Sequence, residues 1–279
     1  LYLHTPTRRQ RQMCIRDIYN AGHGLPFVSD GMKERYPGVF FSQFTGAELV
    51  AEKWNLSRED LDEFALESHQ KAANATESKY FDREILPVEG KNAEGINELV
   101  LADEGIRFDA SLDKLAGLKP VTDGGVITAG NASQITDGAA AVMICNDVGL
   151  KKIQSNPRAE IVSISVVGDD PVFMLTGPIP ASKKALEAAG LSIDDMDLYE
   201  VNEAFAPVPL AWAHDLEADK SKLNVNGGAM ALGHPLGATG AKLMTTMLHE
   251  LERRNGNYAL QAICEGGGTA NATIIKRLS

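Results

Sequence analysis

Cysteine is scarce in this sequence. Its 279 residues contain three, Cys14, Cys145 and Cys264, which cannot all pair with one another, and no dense disulfide pattern is present. Unpaired thiols are typical of a reducing compartment, so we expect a cytoplasmic protein. Long apolar runs are also lacking. None reaches the roughly 20 residues of a membrane-spanning helix, and residues 1–16 lack the apolar segment of a secretory signal.

An excess of positive charge is missing too. Lysine and arginine number 27 against 38 aspartate and glutamate residues, which gives a net charge of −11. Nucleic-acid-binding domains usually present a basic face, so we expect no nucleic-acid partner. A small anionic ligand is still compatible, because a local basic pocket can exist on an acidic protein. The 6 histidines are scattered and no Cys-x-x-Cys occurs, so the sequence predicts no metal site.

The chain is long enough for a substantial core, in one large or two medium domains. We predict that residues 1–19 are a disordered or foreign lead-in, because they are rich in arginine and glutamine and show no helical or strand periodicity. Residues 20–125 are predicted to be mostly irregular, with one clear helix. Ser57 is expected to cap it and Asp60 to complete a capping box, and short hairpins are expected within residues 88–106.

Small and apolar residues mark the middle of the chain. Residues 129–133 (Ala-Gly-Asn-Ala-Ser) predict a turn, and residues 137–143 (Asp-Gly-Ala-Ala-Ala-Val-Met) predict a helix or strand packed very closely against a neighbour. Cys145 ends this run. It is predicted to be a buried structural thiol, since unpaired cysteine packs as a small hydrophobic residue.

From about residue 155, strands and helices alternate. This order, closed by two strands that a glycine-rich turn joins, is typical of a layered α/β domain. The predicted strands are 161–167, 198–201, 258–263 and 270–275, and the predicted helices are 182–189 with Ser182 as its cap, 203–214 and 237–254.

Three turns in this second unit carry groups suited to chemistry. Cys264 ends a predicted strand and is followed by Glu265 and three glycines, whose backbone N–H groups can approach a ligand or stabilise a thiolate. We therefore expect a lowered thiol pKa, in a nucleophile or a proton carrier. A tight hairpin that follows a buried cysteine would give the same pattern.

His234 lies between Gly233 and Pro235. The proline restricts the histidine backbone to extended conformations, and the glycines that follow open a predicted helix whose N-terminus favours negative charge. An imidazole fixed there can deprotonate a thiol or donate to an oxyanion. A glycine-rich turn with a structural histidine is the alternative. Residues 237–242 are not a P-loop, because the lysine does not follow the second glycine.

Asn202 follows a predicted strand and opens a predicted helix. An asparagine at such a junction is commonly a helix N-cap. The functional alternative is an amide that holds a water molecule or a substrate carbonyl.

Together, Asn-Glu-Ala-Phe (202–205), Gly-His-Pro (233–235) and Cys-x-Gly-Gly-Gly (264–268) resemble the three C-terminal signatures of the thiolases. This family comprises acetyl-CoA acetyltransferases and 3-ketoacyl-CoA thiolases. The resemblance runs from about residue 41 to the end of the chain and includes residues 128–133 and 176–180.

The resemblance implies an α/β fold with layers in the order α-β-α-β-α. It assigns residues 20–125 to the family's loop domain and residues 126–155 to the last piece of its N-terminal half. Residues 156–279 would form a complete C-terminal half.

Site roles follow from the same resemblance. His234 would activate the family's nucleophilic cysteine and donate to the thioester oxygen, while Asn202 would hold a water molecule in the same oxyanion pocket. Cys264 would move a proton at the α-carbon of acetyl-CoA. The backbone N–H of Gly266 would help to form a second oxyanion pocket.

Ala129 and Ser133 would contact the pantetheine arm of coenzyme A, which is a substrate or product, and no separate cofactor is implied. The implied partners are therefore acyl-CoA and CoA. Complete family members assemble as homodimers or homotetramers.

The family's nucleophile has no counterpart in this sequence. It is a cysteine in a glycine-rich turn at a helix start, whereas Cys14 lies between Met13 and Ile15 and Cys145 follows an apolar run. The prediction is thus an N-terminally truncated thiolase, acting on 3-ketoacyl-CoA or acetyl-CoA by thiolysis or Claisen condensation and inactive as this chain alone. The alternative is a catalytically dead CoA- or acyl-binding protein on a thiolase scaffold.

Overall fold

The structure is a computed structural model that describes residues 29–91 and 95–278. The predicted lead-in, residues 1–19, lies outside the described residues. The helices are α1 (Asp30–Arg35), α2 (Gln43–Lys53), α3 (Arg58–Glu77), α4 (Leu112–Ala116), α5 (Asp147–Ile153), α6 (Pro178–Ala189), α7 (Pro207–Asp215), α8 (Ala229–Leu232) and α9 (Thr239–Arg254). The strands are β1 (Val88–Lys91), β2 (Asn97–Val100), β3 (Ala159–Gly168), β4 (Leu198–Val201), β5 (Tyr258–Glu265) and β6 (Thr269–Arg277).

Helix α3 is the helix that was predicted in the first part of the chain. The hydroxyl of Ser57 accepts from the Asp60 N–H at 3.1 Å, and the Asp60 carboxylate accepts from the Ser57 N–H at 2.7 Å, so the capping box is confirmed. The expected hairpin is the antiparallel pair β1–β2. The expectation of a single helix was wrong, because α1, α2 and α4 also form in this region.

A four-stranded sheet organises the second part of the chain. Its strand order is β3-β6-β5-β4, with β4 parallel to β5 and the other pairs antiparallel, so the predicted β5–β6 hairpin is confirmed. Helix α6 covers one face, where the hydroxyls of Ser163 and Ser165 donate to backbone carbonyls of the helix. Helix α9 covers the other face, where Leu198 packs against Met247 and Leu251. Helices on both faces of one sheet make this a layered α/β unit.

The small-residue segment differs from its prediction. Residues 134–146 form neither helix nor strand, and Met143 and Ile144 are 76% and 72% exposed. Cys145 is exposed rather than buried. An apolar stretch becomes regular only against a partner surface. The contacts of this segment lie at its N-terminal end, where Thr136 packs against Gly233 and Gly138 against Pro235, whereas residues 139–146 are exposed.

Three predicted helix starts were wrong, two of them because proline begins the helix. Helices α6 and α7 begin at Pro178 and Pro207, since proline is tolerated in the first turn of a helix. Ser182 is therefore inside α6, where its hydroxyl accepts from the Trp212 indole at 2.8 Å. Asn202 caps no helix, because its N–H continues the sheet ladder to the Ala262 carbonyl. Helix α9 starts at residue 239 instead of 237.

Within the described residues, no helix combines the length and apolar composition that crossing a membrane requires.

Candidate active site

The parallel pair β4–β5 brings Asn202 and Cys264 to one edge of the sheet. Val201 pairs with Ala262, and the Asn202 N–H donates to the Ala262 carbonyl at 3.0 Å. Asn202 is 1% exposed and Cys264 is partly buried. Because parallel strands end on the same side of a sheet, the amide and the thiol occupy neighbouring positions at the carboxyl ends of the strands.

The expected lowering of the Cys264 pKa was wrong. Burial raises the pKa of this thiol to about 12, and the negative charge of Glu265 acts in the same direction. A backbone group and the Asn202 amide favour the thiolate, but their effect on the pKa is smaller than that of burial. Cys264 is therefore a protonated thiol at neutral pH.

His234 is held at the same edge of the sheet by the segment before α9. Its N–H donates to the Gln134 carbonyl at 3.1 Å. Gly240, in the first turn of α9, packs so closely on β5 that a Cβ there would lie 3.4 Å from the Ile263 side chain. Ile263 directly precedes Cys264. This contact brings the first turn of α9, which follows the His234 turn, to the end of β5 that carries Cys264.

The hydrogen bonds of Thr239 define the tautomer of His234. The Thr239 hydroxyl donates to the Pro235 carbonyl at 3.1 Å, and the same oxygen lies 2.6 Å from Nδ1 of His234. A hydroxyl has one proton to donate, so this oxygen accepts from an Nδ1–H group. Nε2 then carries the lone pair. Burial, aided by the charge of Lys242, lowers the pKa of His234, so the imidazole is neutral at neutral pH.

Glu203 joins the three segments that surround the site. Its buried carboxylate accepts from the Ser68 hydroxyl at 2.7 Å, the Asn224 amide at 2.9 Å and the Met230 N–H at 3.1 Å. Ser68 lies on α3 and Met230 on α8, four residues before His234. Burial raises the pKa of Glu203, while these hydrogen bonds oppose the rise.

A cavity of 330 Å³ opens beside these segments. Ala129 lines it, as the family resemblance led us to expect, together with Arg107, Lys114 and Gln134. Ser133 is not among its lining residues. The Ser133 N–H instead donates to the Ala204 carbonyl at 3.0 Å, which joins this segment to the turn that carries Asn202.

Several residues of this cavity were missed by sequence reasoning. His69 is 6% exposed and lines the cavity, and its Nδ1 accepts from the backbone N–H of Arg107 at 3.1 Å. Arg107 supplies positive charge on an otherwise acidic protein, whereas the ammonium group of Lys114 is paired with the carboxylate of Asp109, which also lines the cavity. No local motif surrounds them, so only the fold could bring them together.

Gly266 lies in the exposed turn between β5 and β6, next to Cys264. The glycines that follow it, Gly267 and Gly268, have φ values of 78° and 79°, which glycine adopts without strain. The turn thus presents its backbone at the sheet edge that carries the thiol. Within residues 29–91 and 95–278, no group of three or more His, Cys, Asp or Glu residues is placed to hold a metal ion.

Comparison with known families accounts for both parts of the chain. The family described as the thiolase N-terminal domain matches residues 19–148, and the thiolase C-terminal domain matches residues 155–277. The chain therefore belongs to the thiolase family. The finer division of residues 20–155 into a loop domain and a remnant of the N-terminal half stays a prediction.

Relatives of known name agree with this assignment. A steroid 3-ketoacyl-CoA thiolase of Mycobacterium tuberculosis is 55% identical over 244 residues, which are 88% of this chain and 58% of that protein. The mouse mitochondrial 3-ketoacyl-CoA thiolase is 46% identical over 279 residues, covering 98% of this chain and 70% of the relative. The chain thus spans between about three fifths and about two thirds of the length of these relatives.

Solved structures show the same fold. The human mitochondrial 3-ketoacyl-CoA thiolase in complex with CoA is 46% identical with a TM-score of 0.80, over 84% of this chain and 58% of that one. An acetyl-CoA acetyltransferase of Bacillus anthracis is 41% identical with a TM-score of 0.81, over 87% of this chain and 61% of the other. The thiolase-like layered α/β fold predicted from the sequence is confirmed.

Proposed function

We propose that this protein belongs to an acyl-CoA C-acyltransferase that acts on 3-ketoacyl-CoA and acetyl-CoA, by thiolytic cleavage or Claisen condensation. The observation that supports this proposal is the pair Asn202 and Cys264, a buried amide and a protonated thiol at the ends of neighbouring strands. The neutral imidazole of His234 is bonded to Thr239, in the first turn of the helix that packs on β5. Such a set can transfer protons and stabilise an oxyanion next to a thioester.

His234 would serve first as a base and then as a donor. Its Nε2 lone pair can take the proton of a nucleophilic thiol, because Nδ1 already donates to Thr239. The resulting imidazolium carries an Nε2–H that can donate to the thioester oxygen as negative charge develops there. Asn202 would hold water in the same pocket.

Cys264 would supply a proton in the cleavage direction. When the bond between the α-carbon and the 3-keto carbon breaks, its electron pair passes to the α-carbon, and the Cys264 S–H protonates that carbon. The 3-acyl fragment passes to the nucleophilic cysteine. Condensation runs the same steps backwards, with the Cys264 thiolate as the base. The raised pKa of Cys264 favours a protonated resting state, which suits the cleavage direction.

The 330 Å³ cavity would receive part of coenzyme A. Arg107 provides positive charge for its phosphates, and Lys114 would do so by exchanging its ion pair with Asp109. Ala129 lies on the wall where the pantetheine arm is expected. Ser133 would act through the Asn202 turn, since it is not among the residues that line the cavity. A solved relative is a complex with CoA, which supports CoA binding by this protein.

We expect the chain alone to be inactive. Cys145 is exposed on an irregular segment, and Cys264 is assigned to proton transfer. Neither residue is flanked by the glycine-rich helix start that activates a thiolase nucleophile. Association as a homodimer or homotetramer and a cytoplasmic location also remain predictions.

Two assays of the 279-residue chain test these proposals. We expect calorimetry to detect CoA binding, and a spectrophotometric assay of acetoacetyl-CoA with CoA to give no thiolysis above buffer. Measurable turnover would show that the nucleophile has been misassigned. Absence of CoA binding would contradict the cavity assignment, whereas binding alone is equally compatible with the alternative of a catalytically dead CoA- or acyl-binding protein.

An assay of a complete protein distinguishes the acyltransferase from the catalytically dead binding protein. Such a protein is built by adding the N-terminal half of a close relative to this chain. There Cys264→Ser should abolish condensation while some acylation of the nucleophile by acetyl-CoA continues, as read by mass spectrometry. His234→Ala should reduce both. Equally small effects of the two substitutions on condensation and acylation would refute the roles assigned to Cys264 and His234. A complete chain without activity would favour the alternative of a catalytically dead binding protein.

The basic residues of the cavity allow a separate test. Arg107→Ala should weaken CoA binding about tenfold, the equivalent of about 1.4 kcal/mol. Lys152→Ala, on exposed α5, is the matched control and should leave the Kd unchanged. Equal losses of CoA affinity in both variants would mean that the change in Kd arises from the net charge of the protein rather than from the cavity.

A further inference from the structure

The turn that carries His234 follows a helix whose last carbonyl groups are capped by side chains from other segments. Helix α8 ends at Leu232, and the last carbonyls of a helix have no N–H partner within it. The Met230 carbonyl accepts from the side-chain amide of Gln134 at 2.7 Å. The Leu232 carbonyl accepts from the ammonium group of Lys242 at 2.5 Å. Lys242 lies on α9, so this cap comes from the helix that follows the turn.

The contact between Lys242 and Leu232 ties the two ends of the His234 turn together. Inside the turn, the Thr239 hydroxyl lies 2.6 Å from Nδ1 of His234. The turn is therefore crossed twice, near its middle by Thr239 and at its ends by Lys242. Without the outer contact, the partly buried Leu232 carbonyl would lose its donor, and the backbone between the two helices would open more often.

Asp103 holds the same ammonium group from a third segment. Its carboxylate lies 3.8 Å from Nζ of Lys242, and the side chains of the lysine and the aspartate are 23% and 32% exposed. Two residues further on, Gly105 packs so closely on α8 that a Cβ there would lie 2.6 Å from the Ala231 carbonyl oxygen. Arg107 of the candidate CoA cavity follows on this segment. Lys242 thus contacts both the end of α8 and the segment that leads to the cavity.

We propose that Lys242 is a positioning residue for His234, because its ammonium group joins the end of α8, the start of α9 and the Asp103 segment around the turn that carries the imidazole. This is the lysine whose spacing excludes a P-loop at residues 237–242. It acts on His234 through the backbone and through its charge. Its importance for catalysis rests on the proposed function, whereas its contacts and their effect on His234 do not.

The charge of Lys242 has an effect that is separate from its hydrogen bond. Together with burial, it lowers the pKa of His234, since a neighbouring cation disfavours the imidazolium. Among the described residues, the carboxyl groups that face the ammonium group and favour its charged form against burial are those of Asp103, Glu84, Glu200 and Glu203. Lys242 therefore holds the turn and also helps to keep the imidazole neutral, in the state that can accept a proton.

NMR of the isotope-labelled 279-residue chain tests the electrostatic effect without any substrate. The ring resonances of His234, identified by their loss in His234→Ala, give its pKa by pH titration. We expect this pKa to rise in Lys242→Met, because the neighbouring positive charge is gone, and to stay at the wild-type value in Lys242→Arg. Lys184→Met, on the exposed surface of α6, removes the same charge elsewhere and is the matched control. It should leave the pKa of His234 unchanged.

Hydrogen exchange of the His234 backbone N–H tests the effect on the turn. This N–H donates to the Gln134 carbonyl at 3.1 Å, so it exchanges when the turn opens. In Lys242→Met the exchange should be at least about tenfold faster, because one hydrogen bond from a charged donor is lost. Lys242→Arg keeps the charge and the donors, so it should restore most of the protection. Lys184→Met should exchange like the wild type.

The proposal requires that the pKa of His234 and the exchange rate of its N–H both respond to Lys242→Met and both recover in Lys242→Arg. A raised pKa with unchanged exchange would overturn the positioning role, and faster exchange with an unchanged pKa would reduce the contact to a structural one. If Lys242→Met does not fold, Asp103→Asn loosens the same ammonium group from its more exposed side. Exchange should then still be faster than in the wild type, and an unchanged rate would overturn the proposal.

The complete protein, with the N-terminal half of a relative added, connects this result to the reaction. There Lys242→Met should lower kcat more than it changes KM and should move the acidic limb of the kcat/KM profile to higher pH, because a base with a raised pKa loses its proton at higher pH. Lys242→Arg should restore both. NMR effects as expected, with turnover unchanged in Lys242→Met, would count against the role proposed for His234 and leave the contacts of Lys242 in place.

Discussion

Removal of the Glu203 carboxylate should destabilise the protein strongly. The carboxylate accepts hydrogen bonds from Ser68, Asn224 and the Met230 N–H, and the residue is 1% exposed. In Glu203→Ala these three donors lose their acceptor in a buried site. Each unsatisfied donor costs about 1–3 kcal/mol, and the Ser68 hydroxyl can turn to another acceptor. We therefore expect a loss of about 3–5 kcal/mol in the free energy of unfolding, a large part of the total for a typical domain.

Urea unfolding at pH 7, followed by circular dichroism, measures this loss. Glu187→Ala is the matched control, because it removes the same charge from the exposed surface of α6 and should change the unfolding free energy by less than about 0.5 kcal/mol. CoA binding should weaken as well in Glu203→Ala, since α3 carries both Ser68 and the cavity residue His69. A loss below about 1 kcal/mol, with unchanged CoA affinity, would refute the view that Glu203 joins these segments.

Two further predictions concern protonation. In Thr239→Val the Nδ1–H of His234 loses its acceptor, so nitrogen NMR should show a shift toward the Nε2–H tautomer. Thr239→Ser keeps the hydroxyl and should keep the wild-type spectrum. Identical spectra in all three proteins would contradict the assigned tautomer. Burial raises the pKa of Glu84 from 4.5 to about 7, so wild-type stability should fall as pH rises through this interval. Relative to the wild type, Glu84→Gln should gain about 2 kcal/mol of unfolding free energy between pH 5 and pH 8, and a pH-independent difference would argue against the raised pKa.

Local chemistry in the sequence predicted the elements that depend on neighbouring residues. The Ser57–Asp60 capping box, the β5–β6 hairpin and the strand at residues 198–201 formed as expected. Helices α1, α2 and α4 were missed, although each follows a serine whose hydroxyl accepts from the first turn. That capping signal was present in the sequence and could have been used.

Long-range packing decided what local patterns could not. Residues 137–143 are small and apolar enough for a buried element, but their conformation depends on which surface they meet. The pKa of Cys264 likewise depends on long-range packing. The adjacent glycines predicted a stabilised thiolate, whereas the burial that raises the pKa comes from segments distant in sequence. Motifs therefore pointed to the candidate site, and the fold set the protonation state of its thiol.

A single residue connects the ligand cavity to the imidazole. Gln134 lines the cavity, and its side-chain amide donates to the carbonyls of Gly105 and Met230, both at 2.7 Å. Its own backbone carbonyl accepts from the His234 N–H at 3.1 Å. Gln134 thus joins one wall of the cavity to the backbone of His234, and it does so from a short segment that no sequence motif of the second unit contains.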